Sequence, residues 1–229
     1  DAWDWQASEF VSPLEQVDAQ TISFEMKKGI MWYDGTTHEE IAELDAEDVK
    51  YSLERMQVSE WKDKAVALDH VEVTGSHSGI IHLNQPFAPI WLTWLCDGTG
   101  SIVSKVAVEA VGGKYDGIFN FYCGYYRVSE WVQKQSFSLE PNPNWGGTQP
   151  AISNVKFIVI EDEKTAEIAF EADEIDLTNI AIDAIPRLVA DPPAGGVVKE
   201  YAGTQWFWMG LNVDHPTLQD IRVRQAIQN

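Results

Sequence analysis

The spacing of apolar and polar residues changes period repeatedly along the chain. TISFEMKKGIMWYDGTT alternates apolar and polar residues around Lys27, Lys28 and Gly29 and then meets Asp34-Gly35, which predicts a hairpin closed by a turn. DAEDVKYSLERMQ moves to a helical period, with Asp45 at the N-cap position, Asp48 three residues later, and Val49, Leu53 and Met56 on one face. DHVEVTGSHSGIIHLNQP returns to period two: Val71 and Val73 precede a turn over Gly75 to Gly79, and Ile81 and Leu83 follow it. The proline-flanked PFAPIWLTWL is too short to cross a bilayer and reads as a buried helix or helical turn. SKVAVEAVGG predicts a short helix stopped by Gly112 and Gly113.

Further along, SFSLEPNPNWGG is a strand that runs into Pro141 and Pro143, and the apolar run of NVKFIVIED predicts a buried strand. DEKTAEIAFEADEID is helical in its first part, and IDAIPRLVADPPAGG is expected to break at Pro186 and again at Pro192-Pro193. VVKEYAGTQWFWMGLNVD has strand composition. DIRVRQAI opens a last helix, in which Val223 and Ile227 lie one turn apart with no Gly or Pro stop behind them, so the chain is expected to continue. Hairpins and helices interleaved this irregularly predict a mixed α and β fold and not a regular βαβ array.

Composition narrows the function. With 229 residues, 45% of them hydrophobic, the chain can bury a core and is not disordered. Asp and Glu number 36 against 16 Lys and Arg, a formal net charge of -20 that repels a nucleic-acid backbone. No apolar run is long enough for a membrane span, and DAWDWQASEF has no basic stretch leading into an apolar one. The sequence lacks a G-x-S-x-G elbow, a P-loop, a dinucleotide-binding fingerprint and an H-E-x-x-H motif, so no catalytic residue is assigned and no cofactor is expected. His70 and His82 lie on the two arms of the second predicted hairpin, but no further ligand completes a set, and no metal site is expected.

Cys96 and Cys123 have no metal-ligand spacing between them. They are compatible with one disulfide in an oxidising compartment, contributing roughly 3 to 4 kcal/mol, and equally with two free buried thiols in a reducing one.

Several ordered stretches together carry a family resemblance. FEMKKGIMWYDGTTHEEIAELDAEDVKYSLERM, CGYYRVSEW, LEPNPNWGGTQPAISNVKFIVIEDEKTAEIAFEADEID and LNVDHPTLQDIRVRQAI resemble the extracellular solute-binding proteins of family 5, the dipeptide, oligopeptide and nickel receptors of ABC importers. The likeness runs from Thr21 to Ile227. Phe24, Gly29, Asp34, Gly35 and Thr36 match the family's first hairpin, and Asn142, Pro143, Trp145, Gly146 and Pro150 match its Asn-Pro and Trp-Gly segment. Asp220, Arg222, Val223, Arg224, Gln225 and Ala226 match its Asp-x-Arg-Val-Arg-Gln-Ala stretch. Two departures stand out. Where the family has Gly-Thr-Gly-Pro-Tyr this chain has Tyr122-Cys123-Gly124-Tyr125-Tyr126, a loss of backbone definition that a bridge at Cys123 would restore. Asp173 replaces the glycine that ends the family's next helix, and Asp tolerates a left-handed cap better than most residues, at a cost.

The resemblance implies a mixed α and β, periplasmic-binding-protein-like (type II) lobe, incomplete, with the family's extra small domain. Its division would be 1–122 for the small domain, 123–199 for part of the first-lobe core and 200–229 for the start of the second lobe. It further implies a non-enzymatic substrate-binding component of an ABC importer, a monomer outside the cytoplasm, in the periplasm or on the cell surface, with a lipid anchor as one option for the full-length protein. Its partners would be a peptide or small-molecule ligand, held in a cleft between lobes, and a membrane permease. The alternative is an extracytoplasmic enzyme or signalling receptor on the same scaffold. Tyr201, Trp206 and Trp208 fall where the family's chain lines the cleft, and in a strand the two tryptophans share a face. Trp32, Trp91, Trp94, Trp131 and Trp145 read as packing residues.

Overall fold

A computed structural model describes residues 7–113, 121–199 and 208–228. In chain order the elements are β1 (Glu15–Gln16), β2 (Thr21–Glu25), β3 (Met31–Asp34), β4 (Glu40–Glu43), α1 (Ala46–Glu54), β5 (Leu68–Gly75), β6 (Ser78–Leu83) and α2 (Lys105–Ala110). They continue with β7 (Phe121–Tyr122), β8 (Tyr126–Val132), β9 (Ser136–Pro141), β10 (Val155–Ile158), α3 (Glu163–Glu171), α4 (Ile185–Ala190) and α5 (Ile221–Gln228). The chain forms two compact units, Asp1–Val159 and Ile160–Asn229.

The first unit holds three antiparallel sheets, ordered β1-β2-β6-β5, β4-β3-β7 and β10-β9-β8. The predicted second hairpin forms as β5 and β6, with Val71 opposite Ile81 and Val73 opposite Gly79. Phe24 of β2 also stands opposite Gly79, and a Cβ there would sit 2.4 Å from the Phe24 ring, so glycine is what lets the ring lie across the strand. The stretch from Thr21 to Asp34, expected as one hairpin, is instead divided between two sheets. Gly29 adopts a φ of +79° and its N–H donates to the Glu43 carboxylate, which turns the chain out of the first sheet. The Asp34-Gly35 turn then joins β3 to β4, with the Asp34 carboxylate accepting from the Thr36 and Thr37 amides.

Helix α1 follows its sequence pattern closely. Asp45 caps it, Asp48 closes a reciprocal capping box, and Val49, Leu53 and Met56 are buried beneath it with Ile22, Phe24, Trp32, Val71 and Ile81. A buried leucine of this kind contributes roughly 2 to 3 kcal/mol by leaving water. Lys50 fastens the helix to β5, donating to Glu54 and to the Val71 carbonyl, while Glu54 accepts the Val71 amide. Trp94, in the helical turn Trp91–Leu95, is fully buried as its spacing predicts, and Trp91 packs against the same core. Gly113 ends α2 with a φ of +81° and a bond from its amide to the Val108 carbonyl.

Two further expectations fail. The run at β10 is not buried: Phe157, Ile158 and Val159 are about half exposed, in an edge strand with β9 as its strand neighbour among the described residues; side chains stand out of the sheet plane, and only what packs on its faces can cover them. Pro186 starts a helix where a break was expected, since it lies in the first turn of α4, where its missing N–H costs nothing. In the second unit α3 ends as the Asp173 substitution suggests. Asp173 takes a φ of +62°, its amide bonds the Phe170 carbonyl, and the Glu174 amide bonds Ala169, the pairing of a Schellman cap. α5 forms over the expected last helix.

Candidate functional site

Of the three residues expected to line a cleft, Trp208 is described; Tyr201 and Trp206 lie outside the described residues, as does the rest of the stretch 200–207 of the expected strand. The described flank from Trp208 to Val213 carries no strand. Trp208 is 83% exposed and opens a trough of about 730 Å3 that Met209, Leu211 and the α5 residues Ile221, Arg224 and Ile227 also line. Its indole folds back over Gly210, where a Cβ would come within 2.7 Å of the ring. Any side chain at position 210 therefore displaces the tryptophan.

The far wall owes its position to the Asp-x-Arg-Val-Arg stretch. Asp220 accepts from the Arg222 amide and guanidinium, which holds its carboxyl below the usual aspartate range. Arg224 reaches back to the carbonyls of Leu218 (2.6 Å) and Gln219 (2.9 Å), fixing the turn Pro216–Leu218 to the helix. The trough thus offers a wide indole face, three aliphatic side chains, a thioether and one guanidinium edge, a mixture suited to an amphipathic solute with an acidic or carbonyl group.

The crossing at Tyr122 to Tyr126 is organised without a bridge. Cys96 and Cys123 are both free thiols, so the expected disulfide is not formed in this structure. Leu95 takes the inward position at the end of its helical turn and leaves Cys96 turned out to solvent, whereas Cys123 faces an apolar hollow of about 380 Å3 beside Phe10, Trp32 and Leu53. Burial, aided by the nearby Asp48 charge, pushes the Cys123 thiol up to about 12. The order that a bridge would have supplied comes from Asn142. It is 1% exposed, donates its side-chain amide to the Gly124 carbonyl at 2.8 Å and its backbone amide to Tyr125, and accepts from the Asn144 amide. Tyr125 packs against Trp145 with centroids 4.7 Å apart, and Phe10 closes the cluster at 5.4 Å from Trp145. Trp145 is thus a packing residue, as expected. Trp131 is stacked on Phe137 but stays 37% exposed.

Asp48 is the residue whose weight the sequence pattern understated. Beyond its capping role it accepts from the Trp32 indole at 2.8 Å and the Lys105 amide at 2.7 Å, joining β3, α1 and α2 through one buried carboxylate. Burial raises its pKa against these donors. Its place three residues after the Asp45 N-cap is the signal the sequence carries; the long-range partners are not visible there. His70 and His82 do meet across the hairpin, their rings stacked at 4.5 Å, but each engages its own neighbouring acid, Asp69 and Glu72. Among the described residues no group of three or more His, Cys, Asp or Glu could hold a metal ion.

Comparison with known proteins agrees with this architecture. The family profile described as bacterial extracellular solute-binding proteins, family 5 Middle, matches residues 10–229. The periplasmic oligopeptide-binding protein OppA of Escherichia coli K12 is 26% identical over 92% of this chain and 42% of its own length. The dipeptide-binding protein of the same organism is 22% identical over 97% of this chain and 43% of its own. Among solved structures, MoaA of A. tumefaciens R10 in complex with mannopinic acid superposes with a TM-score of 0.73 at 22% identity, over 96% of this chain and 44% of that one. NikZ of Campylobacter jejuni with Ni(L-His) gives 0.70 at 17% identity, over 95% of this chain and 43% of that one. The fold is a mixed α and β, periplasmic-binding-protein-like lobe, and the chain spans less than half the length of the relatives it matches.

Proposed function

Since the chain belongs to family 5 of the bacterial extracellular solute-binding proteins, we propose that it is part of the substrate-binding component of an ABC importer, taking up peptides or a related small solute. The observation that carries this reading is the match over residues 10–229, nearly the whole chain, to one family of binding proteins. Of the relatives named above, the two matched by sequence are binding proteins for oligopeptides and dipeptides, and the two solved structures hold mannopinic acid and Ni(L-His). In this reading the protein works outside the cytoplasm as a monomer, delivers its ligand unaltered to a membrane permease, and binds no nucleic acid. No helix among the described residues is long and apolar enough to cross a membrane. The domain division is 1–122, 123–199 and 200–229, and Tyr201, Trp206 and Trp208 contribute to the ligand wall. The exposed apolar side chains around Trp208 and α5 are then faced by the remainder of the second lobe.

A thermal-shift screen of the full-length protein against dipeptides, oligopeptides, sugars and nickel tests the proposal. Peptides are expected to raise the melting temperature, and Trp208→Ala to diminish that shift at unchanged ligand-free stability. No shift with any class, or turnover of the bound ligand, would overturn it.

A further inference from the structure

The hollow beside Cys123 lies inside the best-packed part of the molecule, and its volume of about 380 Å3 sets it apart there. Protein interiors carry few voids larger than a water molecule, whereas small-molecule sites begin at roughly 300 Å3. Its origin is the division of β2 from β3 at Gly29. Phe24 and Ile81 reach it from one sheet, Trp32 from the other, and Val49 and Leu53 of α1 complete a buried floor. Ser8 and Ser101, both exposed, stand in the wall as well, so the hollow opens to solvent.

Its rim is held in place by the backbone. The Lys27 amide donates to the Phe10 carbonyl and Val11 pairs with Met26, which fixes the Phe10-Val11 stretch beside the end of β2. Opposite chemistry fixes the Gly100 loop: its amide donates to the Asp97 carbonyl, and a Cβ there would meet the Trp94 carbonyl at 2.3 Å. Only a glycine lets this loop lie so close to the helical turn. The space is therefore bounded by packed or hydrogen-bonded elements.

Among the described residues the wall carries no Asp, Glu, Lys, Arg or His. Burial keeps the Cys123 thiol, pushed up to about 12, protonated at neutral pH, so it adds no charge. Asp48, whose charge reaches Cys123, is outside the wall and is spent on the Trp32 indole and the Lys105 amide. The polar groups left to a ligand are the two serine hydroxyls and the weak thiol donor. Water gains few partners in such a space.

We propose that this hollow is a binding site for a small neutral aromatic molecule, about two fused rings in size and carrying at most a hydroxyl. An apolar cavity of about 150 Å3 accepts benzene, so the larger volume here has room for a second ring. The Phe24 and Trp32 rings and the aliphatic floor take the ring faces, and a ligand hydroxyl finds Ser8 or Ser101. A carboxylate on the same rings would leave water for a wall without a cation and would meet the Asp48 charge. The site stands on the first unit alone and does not rest on the import reading.

Isothermal titration of the full-length protein at pH 7 with 1-naphthol, against 1-naphthoate as the charged counterpart, tests it. The naphthol is expected to bind at least tenfold more tightly than the naphthoate. Ser101→Trp fills the hollow from an exposed position and is expected to weaken the naphthol at least tenfold at an unchanged melting temperature. In the parent protein, nuclear Overhauser contacts from the naphthol ring to the methyl groups of Val49, Leu53 and Ile81 are expected, which locates the ligand even if that variant does not fold. Equal affinity for the two compounds, no binding of either, contacts confined to other residues, or parental affinity in a folded Ser101→Trp would overturn the proposal. No peptide enters this test, so a failure of the peptide screen leaves it intact.

Discussion

The two compact units of this chain are built on opposite terms. In Asp1–Val159 a single connected core gathers Ile22, Phe24, Trp32, Leu53, Val71, Ile81 and Trp94, each no more than about 5% exposed. Among the described residues of Ile160–Asn229 the buried side chains are small or few, Ala166, Ala169, Ala184 and Leu188 together with Glu167, while Ile168, Leu177, Ile182 and Val189 are more than half exposed. The first unit gathers its largest buried side chains into one apolar core. The other keeps them outward and centres its packing on the pairing of Glu167 with Lys164 and Arg187. The difference teaches that an apolar pattern in sequence shows which residues seek cover but not whether the same segment supplies it.

The largest expected effect separates the two cores. Leu53→Ala should cost about 3 kcal/mol in denaturant unfolding, because it removes a 2% exposed side chain from close packing. Ile168→Ala, at 56% exposure, should cost less than about 0.5 kcal/mol in the same chain. Similar losses at both positions would erase the contrast. Next, Asn142→Ala should destabilise the Tyr122 to Tyr126 crossing by about 2 kcal/mol, since it leaves the Gly124 carbonyl and the Asn144 amide without their partner; hydrogen exchange at Tyr125 and Tyr126 locates the loss.

Acid should distinguish the units by sign. Hydrogen bonds and charge from Lys164 and then Arg187 hold Glu167 below its ordinary value of 4.5, so its contribution is present above that pH and is lost as pH falls through the lowered folded value. Asp48 behaves oppositely: burial raises it above 3.8, so its ionisation opposes folding at neutral pH and that opposition is relieved as pH falls toward 3.8. Amide signals of α3 and α4 should therefore weaken below about pH 4.5 in an NMR titration, and Asp48→Asn should flatten the pH dependence of the first unit over the window above 3.8. Unchanged pH dependence in that variant would remove Asp48 from the account.

Smaller again, Asp173→Gly should raise stability by about 1 kcal/mol, by relieving a left-handed residue that carries a Cβ. At the lower end, Cys96→Ser should shift the melting temperature very little, and iodoacetamide at neutral pH should label Cys96 while sparing Cys123 until denaturant is added. Rapid labelling of both thiols in the folded protein would contradict the raised value at Cys123.

The first unit was legible wherever a local rule and the tertiary demand coincided. Asp45 and Asp48 announced α1, alternating valines and isoleucines announced β5 and β6, and the glycines after α2 announced its end, because each signal acts within one turn or one strand pair. The split of β2 from β3 was not legible, since it depends on Glu43 receiving the Gly29 amide from outside the supposed hairpin. Burial at β10 misled for a related reason: Phe157 and Ile158 have the composition of an interior strand, while exposure is set by what packs on the faces of the sheet. At the candidate sites, a tryptophan in a cleft-lining stretch was readable by resemblance. The hollow beside Cys123 gave no such signal, because Trp32, Leu53 and Ile81 read as filled core until the placing of the two sheets is known.

The bare edge of β10 has a practical consequence. Among the described residues no strand pairs with its outer edge, beside the stacked rings of Phe137 and Phe157. Within Val155–Ile158, Lys156 is the sole charge, the kind of side chain that opposes edge-to-edge pairing of strands, so its replacement by an apolar residue should make the concentrated polypeptide more prone to aggregate.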